Sequence, residues 1–256
     1  MPSDAERQRS SLGATAHRPW PLPEGTWTMG QSWLGLLFAH WALDAEALRP
    51  FVPAPLELDT FEGQAWLGVT PFLVTGLHLR GVPPLPRVST FPEVNVRTYV
   101  RAGSRPGIWF LSLDAASRTA VAGARRFYRL PYFVTSATLV RRGPVFRWES
   151  ARRDDRGHDA RLVVEYEPLG ERLTAAPGTL EHFLVERYRL YSRAPGGRLL
   201  HADIHHRPWE LTPAEARLEA NTMPPPGLRL PAEPPLLHCA ARQDVLVWSP
   251  QTVSGT

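Results

Sequence analysis

Lysine is absent from all 256 residues, and the 29 cationic side chains are therefore all arginine. No ε-amino group exists to form an imine with a carbonyl substrate or to anchor pyridoxal phosphate, and no lysine can complete a phosphate-binding P-loop. Asparagine and isoleucine are nearly as scarce, limited to Asn95, Asn221, Ile108 and Ile204, as GC-rich codon usage would produce. Cys239 is the single cysteine, which excludes an intramolecular disulfide and leaves too few thiols for a structural zinc site. Long hydrophobic runs are also missing. The most apolar stretch, Trp33 to Leu43, is interrupted by His40 and falls short of the ~20 residues a bilayer-spanning helix needs, so no membrane partner is expected. Residues 1–25 carry charges and prolines but no apolar signal-peptide segment, which predicts a loose tail. One domain is expected over 26–249, a short C-terminal tail over 250–256, and a cytoplasmic location.

The formal charge of +4 does not amount to a nucleic-acid surface, because 25 carboxylates interleave with the arginines. Even the densest basic stretch, Arg147 to Arg156, contains Glu149, Asp154 and Asp155, as a solvated face would. What the chain has in abundance is punctuation: 27 prolines and 19 glycines favour many short strands and turns over long helices. Strands are expected at Ser32–Leu43, Phe133–Arg141, Val145–Glu149, Arg161–Glu167, Arg187–Ser192, Leu199–His206 and Leu236–Trp248. Hairpins are expected across Glu62-Gly63 and across a six-residue loop joining Val94–Arg101 to Ile108–Leu113. Helices are predicted from Asp44 to before Pro53, over Ser117–Leu130, and from Thr212 to Asn221, where Thr-Pro-x-Glu resembles a capped start. The six prolines in residues 223–235 predict an extended surface segment. The class is mainly β with a few short helices.

The most informative chemistry lies in Phe91-Pro-Glu-Val-Asn-Val-Arg-Thr-Tyr-Val100. Period two puts Glu93, Asn95, Arg97 and Tyr99 on one face and Val94, Val96 and Val100 on the other. In an open sheet the polar face would meet water; in a closed barrel it would line a cavity able to hold a polar ligand. Pairing Arg101 with Ile108 would bring Ser112 opposite Arg97 and Asp114 opposite Asn95. On the predicted helix, Val121, Ala124, Arg125 and Tyr128 share a stripe, and Arg125 reads either as half of a buried ion pair or as a carboxylate clamp. Glu186 heads an alternating segment with Tyr188 and Leu190. His201, Asp203 and His205 would share a strand face, a weak metal signal that hydrogen-bonded packing explains equally well. Neither a metal nor an organic cofactor is expected, since no metalloprotease motif, dinucleotide fingerprint or nucleophile elbow occurs.

Five segments, Leu58–Trp66, Phe91–Tyr99, Gly123–Tyr132, Glu186–Tyr191 and His205–Trp209, resemble the YqjF-like family of uncharacterised bacterial proteins over roughly residues 28–249. That family looks related to the acetoacetate decarboxylase superfamily, which implies a closed, cone-like β barrel around an internal pocket. The decarboxylase helix and turn read approximately Gly-Arg-Glu-x-x-Gly-x-Pro-Lys-Lys. Here Arg125 matches the arginine, Arg126 replaces the glutamate, Pro131 matches the proline, and Tyr132 and Phe133 replace the two lysines. Glu93 matches a pocket glutamate more loosely. Without the amine, the electron sink for decarboxylating a β-keto acid is gone.

Two functions follow. In one, a pocket holds a small anionic carboxylate- or carbonyl-bearing metabolite, with Arg97 or Arg125 as clamp, Asn95, Tyr99, Ser112, Asp114, Tyr128 and Glu186 around it, and Glu93 and Tyr132 as base and acid of a non-covalent reaction. In the other, the barrel is filled, its charges form a satisfied internal network, and the protein is a structural or interaction partner. The oligomeric state, a homo-oligomer included, stays open.

Overall fold

The computed structural model describes residues 2–85 and 88–253. Fourteen strands carry the fold: β1 Met29–Leu43, β2 Glu57–Leu58, β3 Ala65–Leu79, β4 Phe91–Ala102, β5 Arg105–Ala115, β6 Tyr132–Arg142, β7 Val145–Arg152, β8 Arg161–Pro168, β9 Leu173–Thr174, β10 Arg189–Arg193, β11 Leu199–His205, β12 Glu210–Asn221, β13 Leu236–Val247 and β14 Gln251–Thr252. Four short helices join them: α1 Asp4–Ser10, α2 Ala45–Leu48, α3 Arg118–Gly123 and α4 Leu180–Val185. No helix among the described residues is long and apolar enough to cross a membrane.

Strand pairing closes two rings. One runs β1-β3-β4-β5-β10-β11-β13 and back to β1, with β5 and β10 parallel. The other leaves β5 through a parallel contact to β6 and returns by β7, β8 and β12 to β13. Strands β13, β1, β3, β4 and β5 belong to both, so their two faces look into two different interiors. That is why β1 and β3 are apolar along nearly their whole length instead of alternating with water-facing residues. Val94 and Val96 face the larger apolar core with Leu37, Leu67, Trp148 and Val164. The opposite face of β4 looks into the seven-strand ring.

Several elements differ from expectation. Residues Thr212 to Asn221 form strand β12 and not a helix. Ala214, Ala216 and Leu218 pack on the core while Glu215, Arg217 and Glu219 face out, and the ladder to β8 supplies the backbone hydrogen bonds. This period-two burial outweighs the Thr-Pro-x-Glu start. Residues 4–18, expected as a loose tail, are docked. The Gln8 amide donates to Ser32 Oγ at 2.9 Å, and a Cβ on Gly30 would sit 2.7 Å from His78 and 2.4 Å from Gln8. Arg18 donates to the Ile204 carbonyl at 2.9 Å. The docking rests on glycines and single polar partners, which hydrophobic periodicity does not register. Finally, the predicted six-residue loop is a two-residue turn, because Ala102 pairs with Arg105. In the C-terminal tail, Gln251 and Thr252 add strand β14 to β11.

The hairpin across Glu62-Gly63 turns as the sequence suggests. Phe61 and Gln64 bridge while both central residues take positive φ, 49° and 83°. The strand before it, however, pairs with β4, Glu57 opposite Arg101.

Candidate functional site

Glu93, Asn95 and Arg97 project from β4 into a cavity of about 370 Å³ inside the seven-strand ring. All three are buried, at 5%, 5% and 6% exposure. Tyr128 and Tyr132 reach the same space. Its walls are largely apolar, including Leu36, Phe72, Phe110 and Leu113. This volume runs against a ring filled by its own side chains.

Tyr132 begins β6 and its hydroxyl lies 3.2 Å from each carboxyl oxygen of Glu93. Burial pushes the Glu93 carboxyl up to about 8, opposed by the Tyr132 hydrogen bond and reinforced by Asp114. Burial and the neighbouring Glu93 likewise raise Tyr132 well above the ordinary phenol range. Near neutral pH the pair is therefore predominantly uncharged, and Glu93 is better placed to donate a proton than to accept one. Phe133, one residue on, points the other way and lies under the Arg152 guanidinium at 3.9 Å.

Arg97 has no carboxylate within ion-pair distance among the described residues. One Nη2–H reaches the Leu184 carbonyl at 3.5 Å, and the guanidinium lies 5.2 Å from the Phe38 ring centre. Its Nε is buried without a hydrogen-bond partner, as are Asn95 Oδ1, Arg187 Nη2, Thr70 Oγ1 and Trp209 Nε1, all on residues lining this cavity. Buried polar atoms are ordinarily paired. Arg187 is the second cation at the cavity, but Asp59 neutralises it at 2.5 Å. Glu93 and Arg97 are roughly 13 Å apart along the strand, so they address different parts of anything bound between them.

The other expected residues lie elsewhere. The tight β4–β5 turn moves Phe110 opposite Arg97, a two-residue shift that keeps the faces, and a bulge at Leu111 then slips the ladder by one, so that Ser112 pairs with Val96 and Asp114 with Val94. A one-residue slip moves a side chain to the opposite face. Asp114 consequently turns away from the cavity and accepts two hydrogen bonds from Arg152, at 2.7 and 2.8 Å. Tyr99 shares the face of Arg97 but lies two residues further along β4, outside the cavity lining; its hydroxyl meets His40 Nε2 at 2.7 Å, and its ring lies beside the Arg97 guanidinium. Arg125 is held by Asp154 and by the Tyr132 carbonyl, the ion-pair alternative. After α3 the helix widens to a π turn over Ala124–Tyr128, which breaks the stripe that Arg125 and Tyr128 were expected to share. Glu186 caps the end of α4, accepting from the Trp209 N–H at 2.8 Å and from the Tyr188 hydroxyl.

His201, Asp203 and His205 do not converge on a metal, and no such cluster occurs among the described residues. Asp203 pairs with Arg189 at 2.8 Å, and His205 binds the Ser11 carbonyl at 2.9 Å. Residues missed by the sequence reading are Arg187, Thr70, His206 and Trp209. The signal for Arg187 was a helix start at Thr179, whose side chain caps His182; with α4 in place, strand β10 begins only at Arg189.

The profile of the DUF2071 family, described as an uncharacterized conserved protein, matches residues 30–244. The chain is 45% identical over 228 residues to the uncharacterized protein YqjF of Bacillus subtilis strain 168, covering 89% of this chain and 93% of that one. Among solved structures it is similar to an acetoacetate decarboxylase from Legionella pneumophila, with TM-score 0.62, 14% identity and 93% of both chains covered. It is also similar to the enduracididine biosynthesis enzyme MppR complexed with pyruvate, with TM-score 0.61, 15% identity and 94% of both chains covered. At these identities the two structures establish a shared acetoacetate decarboxylase-like fold.

Proposed function

Since the chain belongs to the DUF2071 family, whose fold hosts more than one chemistry, we propose from the site itself that the protein binds a small anionic metabolite bearing a carboxylate or carbonyl group. The observation that carries this reading is Arg97: a buried guanidinium facing a cavity, with an unpaired Nε and no neutralising carboxylate among the described residues. An isolated buried charge is costly, and a bound anion would offset that cost. The MppR structure complexed with pyruvate supports a small keto acid as one probe.

The reaction, where one follows binding, is non-covalent. A ligand carbonyl near Glu93 and Tyr132 would accept hydrogen bonds from two neutral donors, stabilising negative charge on its oxygen. Above about pH 8 Glu93 would instead act as a base. Imine formation at a side chain is closed to a chain without lysine.

The test is a calorimetric and thermal-shift panel of short carboxylates, 2-keto acids, 3-keto acids and lactones, with the wild type and Arg97→Met. Saturation to ~100 times the dissociation constant adds about 2.7 kcal/mol of stability, a shift of several degrees. We expect carboxylates to bind the wild type and to lose at least tenfold in affinity in the variant. Carboxylate binding that ignores the substitution, or no binding across the panel, would overturn the assignment.

A further inference from the structure

The cavity is polar in its interior and apolar at its opening. Glu93, Asn95, Arg97 and Arg187 are all buried. Its mouth is formed by Leu79, Val82, Leu85, Val88 and Phe127, exposed by 59%, 46%, 54%, 38% and 68%. Only Val140 and Leu169 join them as exposed large hydrophobic residues among the described positions. Five of seven such residues converging on one opening is not the single scattering that ordinary surfaces show.

Between interior and opening the walls are Leu36, Phe72, Phe110 and Leu113. A three- or four-carbon acid seated at Arg97 would leave these walls and the rim without contact. A longer unbranched chain would cover both.

Building on the anion-site reading, we propose that the ligand is an amphipathic monocarboxylate whose head group meets Arg97 and whose aliphatic chain runs along Phe72 and Phe110 to leave past Phe127. One negative charge suits the site, because Asp59 already neutralises Arg187. The exposed rim is thus the far end of the binding channel, and the occupant that covers it is the ligand's own tail.

The experiment measures dissociation constants of straight-chain fatty acids from butanoate to decanoate and of the matching alcohols. The wild type, Arg97→Met, and a rim variant combining Leu85→Ser with Phe127→Ser are compared, with sedimentation velocity on each. Each methylene that enters the channel should tighten binding about fourfold, from about 0.8 kcal/mol per buried methylene. Acids should outbind alcohols in the wild type but not in Arg97→Met, and the rim variant should flatten the series only at its long end. Acid binding that needs Arg97 but ignores chain length would overturn the amphipathic ligand while leaving the anion site intact. Chain-length dependence without preference for acid would overturn the anion site. A wild-type dimer that the rim variant converts to monomer would assign the rim to a second copy and overturn the channel.

Discussion

The Tyr132 hydroxyl stands 3.2 Å from both carboxyl oxygens of Glu93, although the two side chains come from strands separated by β5. The parallel β5–β6 contact, Leu113 opposite Tyr132, brings the start of β6 beside the start of β4. The position that the sequence resemblance matches to a lysine of the decarboxylases therefore still faces the cavity. It brings a neutral hydroxyl there in place of an amine, next to a carboxyl that burial keeps protonated. A hydroxyl and a neutral carboxyl offer hydrogen bonds to a ligand, whereas imine formation is closed to a chain without lysine.

That carboxyl makes stability fall with pH. Its folded value, about 8, lies above its ordinary 4.5, so the favourable contribution is complete below about pH 4.5 and is lost as pH rises through 8. Moving from 4.5 to about 8 at ~1.36 kcal/mol per pH unit comes to on the order of 5 kcal/mol. Urea unfolding between about pH 5 and pH 8.5 should show the wild type losing stability and Glu93→Gln losing several kcal/mol less. Parallel profiles for the two proteins would mean that Glu93 ionises as freely as it does in water.

Arg97 should cost stability. Its guanidinium is buried without a carboxylate partner among the described residues, and hydrophobic side chains commonly replace buried charges neutrally or favourably. Arg97→Met is expected to unfold at a higher temperature than the wild type in the absence of ligand, by ~2–4 °C for each kcal/mol gained. A lower melting temperature would point to a structural role for its contacts with Leu184 and Phe38.

Asp114 shows the opposite behaviour. It and Arg152 are 1% and 2% exposed and form two hydrogen bonds, so removing one partner leaves a buried charge uncompensated. Asp114→Ala should destabilise by about 3–5 kcal/mol, and adding Arg152→Met should restore part of that loss. An unchanged denaturation midpoint for Asp114→Ala would contradict the pairing.

Asp114 also marks how far the sequence could be read. The alternation Glu93, Asn95, Arg97 against Val94, Val96 was legible, and so was its meaning once the sheet closes. What alternation cannot convey is register. Whether Ser112 and Asp114 share the cavity depends on one bulge at Leu111, opposite Val96 and Arg97, a feature fixed by the folded sheet and not by side-chain pattern. Tyr99 keeps the predicted face but lies past the end of the cavity, where His40 takes its hydroxyl, and Arg125 was lost to a π turn. Arg187 was missed for a different reason: a helix of six residues, Leu180–Val185, is too short to show helical periodicity, and only its Thr179 cap signals it. Strand β12 was misread because a local capping signature competed with a weaker alternation of alanines that only tertiary burial resolves.

The N-terminal segment should loosen in acid. His205 donates from Nε2 to the Ser11 carbonyl at 2.9 Å, which leaves Nδ1 as the acceptor for Arg18 at 3.2 Å. Burial, and then the charge of Arg18, lowers its pKa to about 4, and burial lowers that of His206. A depressed folded value means stability that is complete above the ordinary 6.5 and lost as pH falls towards 4, because the added proton must face Arg18. Hydrogen exchange of residues 4–18 should accelerate relative to the rest of the chain as pH falls through this window, after correction for intrinsic rates. In His205→Gln, whose amide can still donate towards Ser11, the acceleration should shrink.

Closure of the seven-strand ring depends on a very small side chain. β5 meets β10 through two registered pairs, Leu190 with Ile108 and Tyr191 with Trp109. Beside them a Cβ on Gly107 would lie 2.7 Å from the Arg189 carbonyl oxygen and 2.7 Å from the Tyr191 ring. A flexible side-chain tip could move aside, but a backbone carbonyl moves only with its strand. Gly107→Ala should therefore part β5 from β10, costing about 1–3 kcal/mol as an overpacked contact does. It should also widen the cavity wall that carries Ile108 and Phe110. The expected signature is a lowered melting temperature together with faster hydrogen exchange across β10. Gly103→Ala, at a turn where a Cβ meets nothing within 4 Å but φ is +56°, should cost stability without opening that seam. If Gly107→Ala proved as stable as the wild type, the β5–β10 contact would have to be looser than the structure shows, and the ring would be open at that edge.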